Sequence, residues 1–209
     1  MLAIIVGMKS EARLVHQLAL FAIGGGTTHG ATIAAQYLID QGATALISLG
    51  IAGGLDPTLP PGTLIHPTHI IDGQTRYLTT STLIPWAPPP DRTLAGSHTP
   101  LATAAQKSAL YQQTAAAAVD MESHAVARIA TAHNLPFTAL RAIADPATTT
   151  LPPAALIPLL PDGRPNLIKI LASLATNPAQ LAALMTLAHH ARLAHDALRK
   201  ALPAATKIR

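Results

Sequence analysis

Four carboxylates stand where the sequence predicts strands to end, in a chain of 209 residues that has only 10 Asp and Glu. Glu11 follows the first predicted strand, Asp120 and Glu122 lie at a strand-to-helix junction, and Asp145 follows a later strand. In an open α/β sheet, ligands gather at the carboxyl ends of strands, so these positions can converge on one crevice. Carboxylates there can grip sugar hydroxyls and protonate a leaving group. For each acid taken alone, capping of a helix or compensation of its dipole is an equally good explanation.

Short apolar runs alternate with helical patterns, and these elements must position the carboxylates. The predicted strands are residues 2–6, 20–23, 45–49, 64–71 and 136–143, with residues 117–119 leading into the acidic segment. The predicted helices are one capped by Ser10, residues 30–41, residues 122–133 and most of the chain after residue 151. This alternation predicts an α/β fold of three layers, α/β/α, with a central mixed sheet. We expect one domain over residues 1–209, with a helical C-terminal part at about 152–209.

Two segments are predicted to be irregular. Residues 50–62 are rich in Gly and Pro, which predicts a loop. Residues 72–100 carry several turn signals and a Pro-rich stretch around Trp86. That composition is typical of a lid, a rim or a partner surface.

Several common site chemistries lack their motifs. Gly24, Gly25 and Gly26 do not have the G-x-G-x-x-G spacing, so phosphate or sugar binding by backbone amides and a plain tight turn both stay open. The ten histidines are dispersed without paired-ligand spacing, so we expect no catalytic metal, and no cofactor is indicated. No G-x-S-x-G elbow is present, and Ile51 stands where its nucleophile would be. The glycines around Ile51 instead let the backbone approach a ligand closely.

The composition limits the partners. The absence of cysteine excludes disulfides and Cys nucleophiles, and a cytoplasmic location is the default expectation. Basic residues are scattered and aromatic residues make up only 3%, so we expect no nucleic-acid binding. No apolar run approaches the roughly 20 residues of a membrane-spanning helix. The basic C-terminal end predicts a solvated helix face, with contact to a membrane surface as the alternative.

Four motifs together resemble the nucleoside phosphorylase and nucleosidase superfamily, which includes methylthioadenosine/adenosylhomocysteine nucleosidase. They are residues 4–8 with Glu11, residues 48–55 with Gly62, residues 119–122, and residues 140–145, in the expected order over roughly residues 2–147. Within that superfamily the chain is most similar to the hopanoid-associated phosphorylases. That similarity rests on residues 7–13 (GMKSEAR), 24–28 (GGGTT), 52–59 (AGGLDPTL), 145–147 (DPA) and 151–156 (LPPAAL).

The resemblance implies a role for each acidic motif. Asp145 would protonate the departing purine at its imidazole ring, and Glu11, with Arg141 nearby, would hold and polarise the attacking water. Glu122 would bind the ribose hydroxyls while Met121 packs against the sugar. Asp120 is expected only to cap or brace the start of its helix. Cleavage of an N-glycosidic bond builds positive charge on the sugar and negative charge on the base, and these residue types stabilise both.

The chain departs from the family pattern at three places. Ile51 stands where related nucleosidases have a Ser near the water, and Ala144 replaces a Ser beside the acid. The stretch at residues 97–101 lacks the stacking aromatic, so Pro100 and Leu101 would give only apolar contact to the base. Ile51, Ala52 and Gly53 form the candidate loop at the base or nucleophile.

Hydrolysis and phosphorolysis are both compatible with the family, and the sequence favours hydrolysis. Related phosphorylases place an Arg near the first loop, where this chain has Glu11, and a carboxylate repels phosphate. If phosphate is used, Lys9, Arg13, Gly25 and Gly26 are its candidate ligands.

The resemblance implies release of adenine from adenosylhopane to give ribosylhopane. The alternatives are a general purine or methylthioadenosine/adenosylhomocysteine nucleosidase or phosphorylase, and a non-catalytic protein that binds nucleosides or hopanoids. A homodimer or larger assembly is also implied. Because the substrate would be a lipid, we hypothesise that the Trp86 stretch or the basic C-terminal helices meet the inner face of the membrane or the hopane tail.

Overall fold

A computed structural model describes residues 1–203. These residues form nine strands, six α-helices and three short 3-10 helices. The strands are β1 (Leu2–Val6), β2 (Leu20–Ile23), β3 (Ala45–Gly54), β4 (Leu64–Ile65), β5 (Pro67–Asp72), β6 (Thr75–Leu78), β7 (Arg92–Gly96), β8 (Ala118–Asp120) and β9 (Phe137–Asp145). The α-helices are α1 (Lys9–Val15), α2 (Thr28–Asp40), α3 (Ala104–Thr114), α4 (Ser123–Ala132), α5 (Leu167–Thr176) and α6 (Leu181–Ala201).

The strands form one mixed sheet that branches at β3. Its main path runs β2-β1-β3-β8-β7-β5-β6, while β9 pairs with β3 and with the short β4. The pairs β1–β2, β1–β3, β3–β9, β5–β7 and β7–β8 are parallel, and β3–β8, β4–β9 and β5–β6 are antiparallel. Because β1, β3 and β9 are parallel neighbours, their carboxyl ends meet at one edge.

Two apolar cores lie on opposite faces of this sheet. In β1, Ala3 and Ile5 belong to the core beneath α2 and α4, whereas Ile4 and Val6 belong to the core beneath α1 and α6. The strand is buried on both faces, which explains why its sequence is a continuous apolar run. Helices therefore cover both sides, and the predicted three-layer α/β/α fold with a mixed sheet is confirmed.

The prediction of a loop over residues 50–62 was wrong at its start. Strand β3 continues to Gly54, because Gly50, Ile51 and Ala52 pair with Arg141, Ala142 and Ile143 of β9. Gly and Ala have low strand propensity, and pairing with a buried neighbour overrides it. The extension carries Ile51, Ala52 and Gly53 as the end of a strand into the site described below.

Other boundaries also differ from the sequence predictions. Residues 72–100 contain β6 and β7, so this part is more regular than expected. Helix α1 begins at Lys9 with Met8 as its N-cap, not Ser10. Helix α3 was not predicted, although Thr103 and Gln106 form a capping box at its start, a signal that the sequence contains.

Within residues 1–203, no single helix is long and apolar enough to cross a membrane. Helix α5 and the segment Pro178–Ala201 meet the length and composition criteria only together, and they are bent by 118° relative to each other.

Candidate active site

A cavity of about 490 Å³ opens at the carboxyl ends of β1, β3, β8 and β9. Its wall brings together residues that are far apart in sequence, as the strand pattern predicted. The lining includes Gly7, Met8, Glu11, Gly25, Gly26, Ile51, Ala52, Gly53, Pro100, Leu101, Lys107, Asp120, Met121, Glu122 and Asp145. Among the predicted site residues, Arg141 is buried behind the wall, and Lys9 and Arg13 are exposed outside it.

Arg141 lies buried behind the cavity wall and pairs with the carboxylates of Asp120 and Glu122. Its side chain, on β9, is only 1% exposed. Nε pairs with Asp120 Oδ2 at 2.5 Å, and Nη2 lies 3.6 Å from Glu122 Oε2. Nη2 also donates to Ser48 Oγ at 2.6 Å and to Ser123 Oγ at 3.0 Å. Arg141 therefore positions the carboxylates, and its fixed guanidinium offsets part of their charge.

Glu11 is held by the backbone. Oε2 accepts hydrogen bonds from the amides of Gly7 and Met8, both at 2.8 Å, and Oε1 accepts one from Ile51 at 2.9 Å. Its position in the first turn of α1 also sets its charge against the positive end of the helix dipole. These contacts fix a carboxylate at the cavity wall, where it can orient and deprotonate a water molecule.

The missing side chain of Gly50 lets Glu11 and Arg141 approach each other. A Cβ at Gly50 would lie 2.5 Å from Glu11 Oε1 and still closer to Arg141 Nη1. Gly50 is thus required because two buried charged groups pass through the space that a larger residue would fill.

Glu122 is the carboxyl group in the cavity wall whose pKa is shifted most from its ordinary value. Burial raises its pKa to about 8, with further upward contributions from Glu11 and Asp120, while Arg141 and the Gly26 amide oppose the rise. Burial therefore favours the protonated form of Glu122 at neutral pH. Growth of positive charge on a bound sugar would favour the ionised form, which ties this group to the chemistry expected at the ribose.

Asp120 supports the cluster from the start of α4. Oδ1 accepts hydrogen bonds from the Glu122 amide at 3.3 Å and the Ser123 amide at 3.0 Å, and Oδ2 accepts from the Ser123 hydroxyl. The expected capping role is therefore present in the geometry. Its ion pair with Arg141 also locks the guanidinium in place, which the sequence did not indicate.

Asp145 lies at the end of β9 and reaches the cavity beside Gly53, whereas Glu11 and Arg141 approach each other at Gly50. Lys107 from α3 pairs with Asp145 Oδ2 and also donates to the carbonyl oxygens of Pro146 at 3.0 Å and Thr149 at 3.1 Å. Burial raises the pKa of Asp145, while Lys107 and more weakly His190 oppose the rise. Burial and the ion pair with Lys107 therefore act in opposite directions on the same carboxyl group.

Lys107 is the functional candidate that sequence reasoning missed. It is 1% exposed, which is rare for lysine unless the ammonium is paired. Its helix was not predicted, and nothing in the local sequence marks a lysine whose partner lies 38 residues later.

The rest of the wall is apolar. Met121, Pro100 and Leu101 line the cavity at the predicted positions, and their roles toward sugar and base stay predictions. A further wall comes from Leu151 and residues 155–159, which were predicted only as part of the helical region. Leu159 reaches the glycine turn, since a Cβ at Gly26 would lie 3.3 Å from Leu159 Cδ1.

The candidate phosphate residues divide into two groups. Gly25 and Gly26 line the cavity, and the Gly26 amide donates to Glu122 Oε1 at 3.2 Å. Lys9 and Arg13 are exposed and do not line it. Among the described residues, Lys107 is the only Lys or Arg in the cavity wall, and Asp145 already pairs with it.

The family model described as Phosphorylase superfamily matches residues 4–95 and 89–176. No curated protein matches the sequence significantly.

Solved structures share the fold at low sequence identity. The 5′-methylthioadenosine/S-adenosylhomocysteine nucleosidase of Neisseria meningitidis, in complex with methylthio-immucillin-A, superposes with a TM-score of 0.70 at 17% identity, covering 96% of this chain and 95% of that chain. Futalosine hydrolase of Helicobacter pylori gives a TM-score of 0.67 at 14% identity, covering 96% of both chains. The S-adenosylhomocysteine nucleosidase of Streptococcus pyogenes gives 0.67 at 15% identity, covering 97% of both.

Proposed function

The chain belongs to the phosphorylase superfamily, and we propose that it is a nucleosidase that hydrolyses the N-glycosidic bond of adenosylhopane, releasing adenine and ribosylhopane. The observation that carries the proposal is that the cavity wall holds two separate groups of charged residues. Glu122 pairs with the buried Arg141, which meets Glu11 at Gly50, while Asp145 pairs with Lys107 beside Gly53. An N-glycosidic bond develops opposite charges at its two ends, and this cavity offers a matching group to each.

In the proposed reaction, the bond between the base nitrogen and C1′ breaks while water attacks C1′. Asp145 donates its proton to the imidazole ring of adenine, and Glu11 accepts a proton from the water. Glu122 holds the ribose hydroxyls through its carboxyl group. The proton on Glu11 then returns to Asp145 through solvent, so the cycle is balanced.

Lys107 fits this reaction as the partner of the conjugate base. When Asp145 gives up its proton, the carboxylate that forms already has an ammonium group at Oδ2. Stabilising the conjugate base makes Asp145 a stronger acid toward the leaving group, while burial raises its pKa and so favours the protonated form.

The cavity favours water over phosphate as the nucleophile. Glu11 occupies the wall near C1′ in this scheme, and the exposed Lys9 and Arg13 do not compensate for its charge. Reaction in ¹⁸O-labelled water, with and without phosphate, tests this choice. We expect label in the ribosyl product at an unchanged rate without phosphate, whereas strict dependence on phosphate would overturn hydrolysis.

The lipid substrate is supported by the apolar wall and its continuation on the surface. Residues 155–159 line the cavity, and the 3-10 helix Pro153–Leu156 packs against α5. Helix α5 presents Leu167, Ile168 and Leu171 to solvent, at 66%, 83% and 63% exposure. An apolar tail leaving the cavity along this wall would reach a patch that is already apolar.

This α5 patch also defines the membrane contact that we propose. Residues 151–203 contain five Lys or Arg and two Asp, a net charge of +3, and Lys169 lies in α5 itself. An amphipathic helix that carries a basic group is suited to an anionic lipid surface. The last two residues of the predicted basic C-terminal end, Lys207 and Arg209, lie outside the described residues. Trp86, the other candidate, is only partly exposed and packs on the core beneath α1 and α6, so α5 is the better candidate.

A second candidate substrate class is a small 5′-thio nucleoside. It is favoured by the shared fold with nucleosidases of methylthioadenosine and S-adenosylhomocysteine. Comparable rates of adenine release from methylthioadenosine and adenosylhopane would support the general activity, and a preference of at least 100-fold for adenosylhopane would exclude it.

We propose that the chain acts as a homo-oligomer. Ile33 and Tyr37, one turn apart on α2, are 57% and 51% exposed, and they provide an apolar surface away from the cavity. Sedimentation equilibrium of the wild type and Tyr37→Glu tests this assignment, since a monomeric wild type would contradict it.

A further inference from the structure

Three side chains that can bind a metal meet beside the cavity. Asp72 ends β5, His98 follows β7, and His124 lies in the first turn of α4. The strands β5, β7 and β8 are parallel neighbours, so their carboxyl ends meet. One ligand atom from each of the three side chains lies within 4.8 Å of the other two.

The protonation pattern of His124 leaves one nitrogen free for a ligand. Nε2 lies 3.3 Å from Thr28 Oγ1, whose hydroxyl donates to the Met121 carbonyl at 3.1 Å. In the tautomer that satisfies both of these contacts, Nε2 donates its hydrogen to Thr28 Oγ1, and Nδ1 then carries the lone pair. Nδ1 is buried and has no hydrogen-bond partner in the part of the chain that the structure describes.

An unpartnered lone pair on a fully buried histidine needs an explanation, because burying an acceptor without a donor is costly. In metal sites, a ligating histidine typically donates its second N–H to a neighbouring polar group, which is the arrangement between His124 and Thr28.

We propose that Asp72, His98 and His124 bind a divalent transition-metal ion of the zinc class, with His124 Nδ1 as the buried ligand. Two imidazoles and one carboxylate form a ligand set suited to such ions. The site is structural and takes no part in bond cleavage.

The spacing fits a site that closes around its ion. Ligand atoms of a tetrahedral zinc site lie about 3.3 Å apart, from metal–ligand distances of about 2.0–2.1 Å. Asp72 Oδ1 and His98 Nε2 are already 3.7 Å apart. The side chain of His98 is 70% exposed, so it can rotate inward without disturbing the core.

A metal ion bound by Asp72, His98 and His124 would connect the wall of the cavity to α4. His98 lies in the stretch 97–101, which lines the cavity and contributes Pro100 and Leu101. The ring of His124 also packs at Gly96, since a Cβ there would lie 2.6 Å from His124 Nδ1. Metal binding would therefore fix one wall of the cavity to α4.

Titration of chelator-treated, dialysed protein with Co²⁺ tests the proposal. We expect one equivalent to produce the visible bands of tetrahedral Co²⁺, and equimolar Zn²⁺ to displace it. His98→Ala and Asp72→Asn, both at partly exposed positions, should weaken Zn²⁺ binding at least tenfold while the far-UV circular dichroism stays unchanged.

His29→Ala is the matched control, because His29 is an exposed histidine outside the cluster. It should bind Zn²⁺ like the wild type. Absence of one-to-one binding would overturn the proposal, and so would equal affinity of the wild type, His98→Ala and Asp72→Asn.

Discussion

Replacement of Gly50 by alanine perturbs the acidic side of the cavity with one added methyl group. Gly50 lies in β3 and its backbone has no positive φ, so alanine is compatible with its conformation. The added Cβ would lie 2.5 Å from Glu11 Oε1 and 2.8 Å from Glu11 Cδ. Both Glu11 and Arg141 are 1% exposed, and any displacement of Glu11 must break its hydrogen bonds to the backbone amides between β1 and α1 and in β3.

The size of the displacement sets the expected effect. Non-bonded heavy atoms prefer a separation of about 3.5 Å or more, so Glu11 must move by roughly 1 Å. A misplacement of that size in a catalytic group costs on the order of 100-fold in rate. Overpacking of a buried site costs a further 1–3 kcal/mol, roughly, in the free energy of unfolding.

Steady-state adenine release and thermal unfolding of the same preparation check both numbers. Gly53→Ala is the matched control in the same strand, because its Cβ would lie 3.3 Å from the nearest atom, Asp145 Oδ2. We expect less than about a tenfold loss of kcat/KM for Gly53→Ala and about a 100-fold loss for Gly50→Ala. Wild-type kcat/KM in Gly50→Ala, or equal losses in both variants, would refute the steric argument.

Four further predictions concern the charged groups and α5. Asp145→Asn should lower kcat by about 10²–10⁴-fold in the same assay, the usual contribution of a general acid, with unchanged circular dichroism. Lys107→Met should lower kcat on the order of 10²-fold and move the alkaline limb of its pH profile upward, because the pKa of Asp145 loses its main lowering influence. The pKa of Glu122 is raised from 4.5 to about 8, so its stabilising contribution is complete below pH 4.5 and is lost as the pH rises through 8. The free energy of unfolding of the wild type should therefore fall with pH in that window, and that of Glu122→Gln should fall less steeply, by up to about 1.4 kcal/mol per pH unit. Ile168→Glu should abolish flotation with anionic liposomes, whereas Thr176→Glu at the other end of α5 should float like the wild type.

The fold was predictable wherever the local pattern and the tertiary environment agree. β1 is buried on both faces, so its apolar run identified it directly. The extension of β3 through Gly54 was missed because it depends on pairing with β9, whose paired residues lie 91 or 92 positions later in the sequence, and not on the strand propensity of glycine. Helix α3 was missed although its capping box is visible in the sequence.

The acidic residues of the site were predictable from the sequence, but the basic residues that pair with them were not. The junction positions of Glu11, Glu122 and Asp145 follow from the strand pattern, and all three line one cavity. Lys107 could not be assigned, because its role depends on a partner on a distant strand. The ion pair of Arg141 with Asp120 similarly depends on the sheet bringing β9 beside the start of α4. The convergence of Asp72, His98 and His124 also lies beyond any spacing rule, since each comes from a different element.

Incubation of the purified protein with adenosylhopane in phosphate-free buffer tests the central claim most directly. We expect stoichiometric release of adenine with formation of ribosylhopane, and loss of that activity in a folded Asp145→Asn variant. Adenosylhopane left intact by the folded wild-type protein, or cleaved equally well by Asp145→Asn, would contradict it.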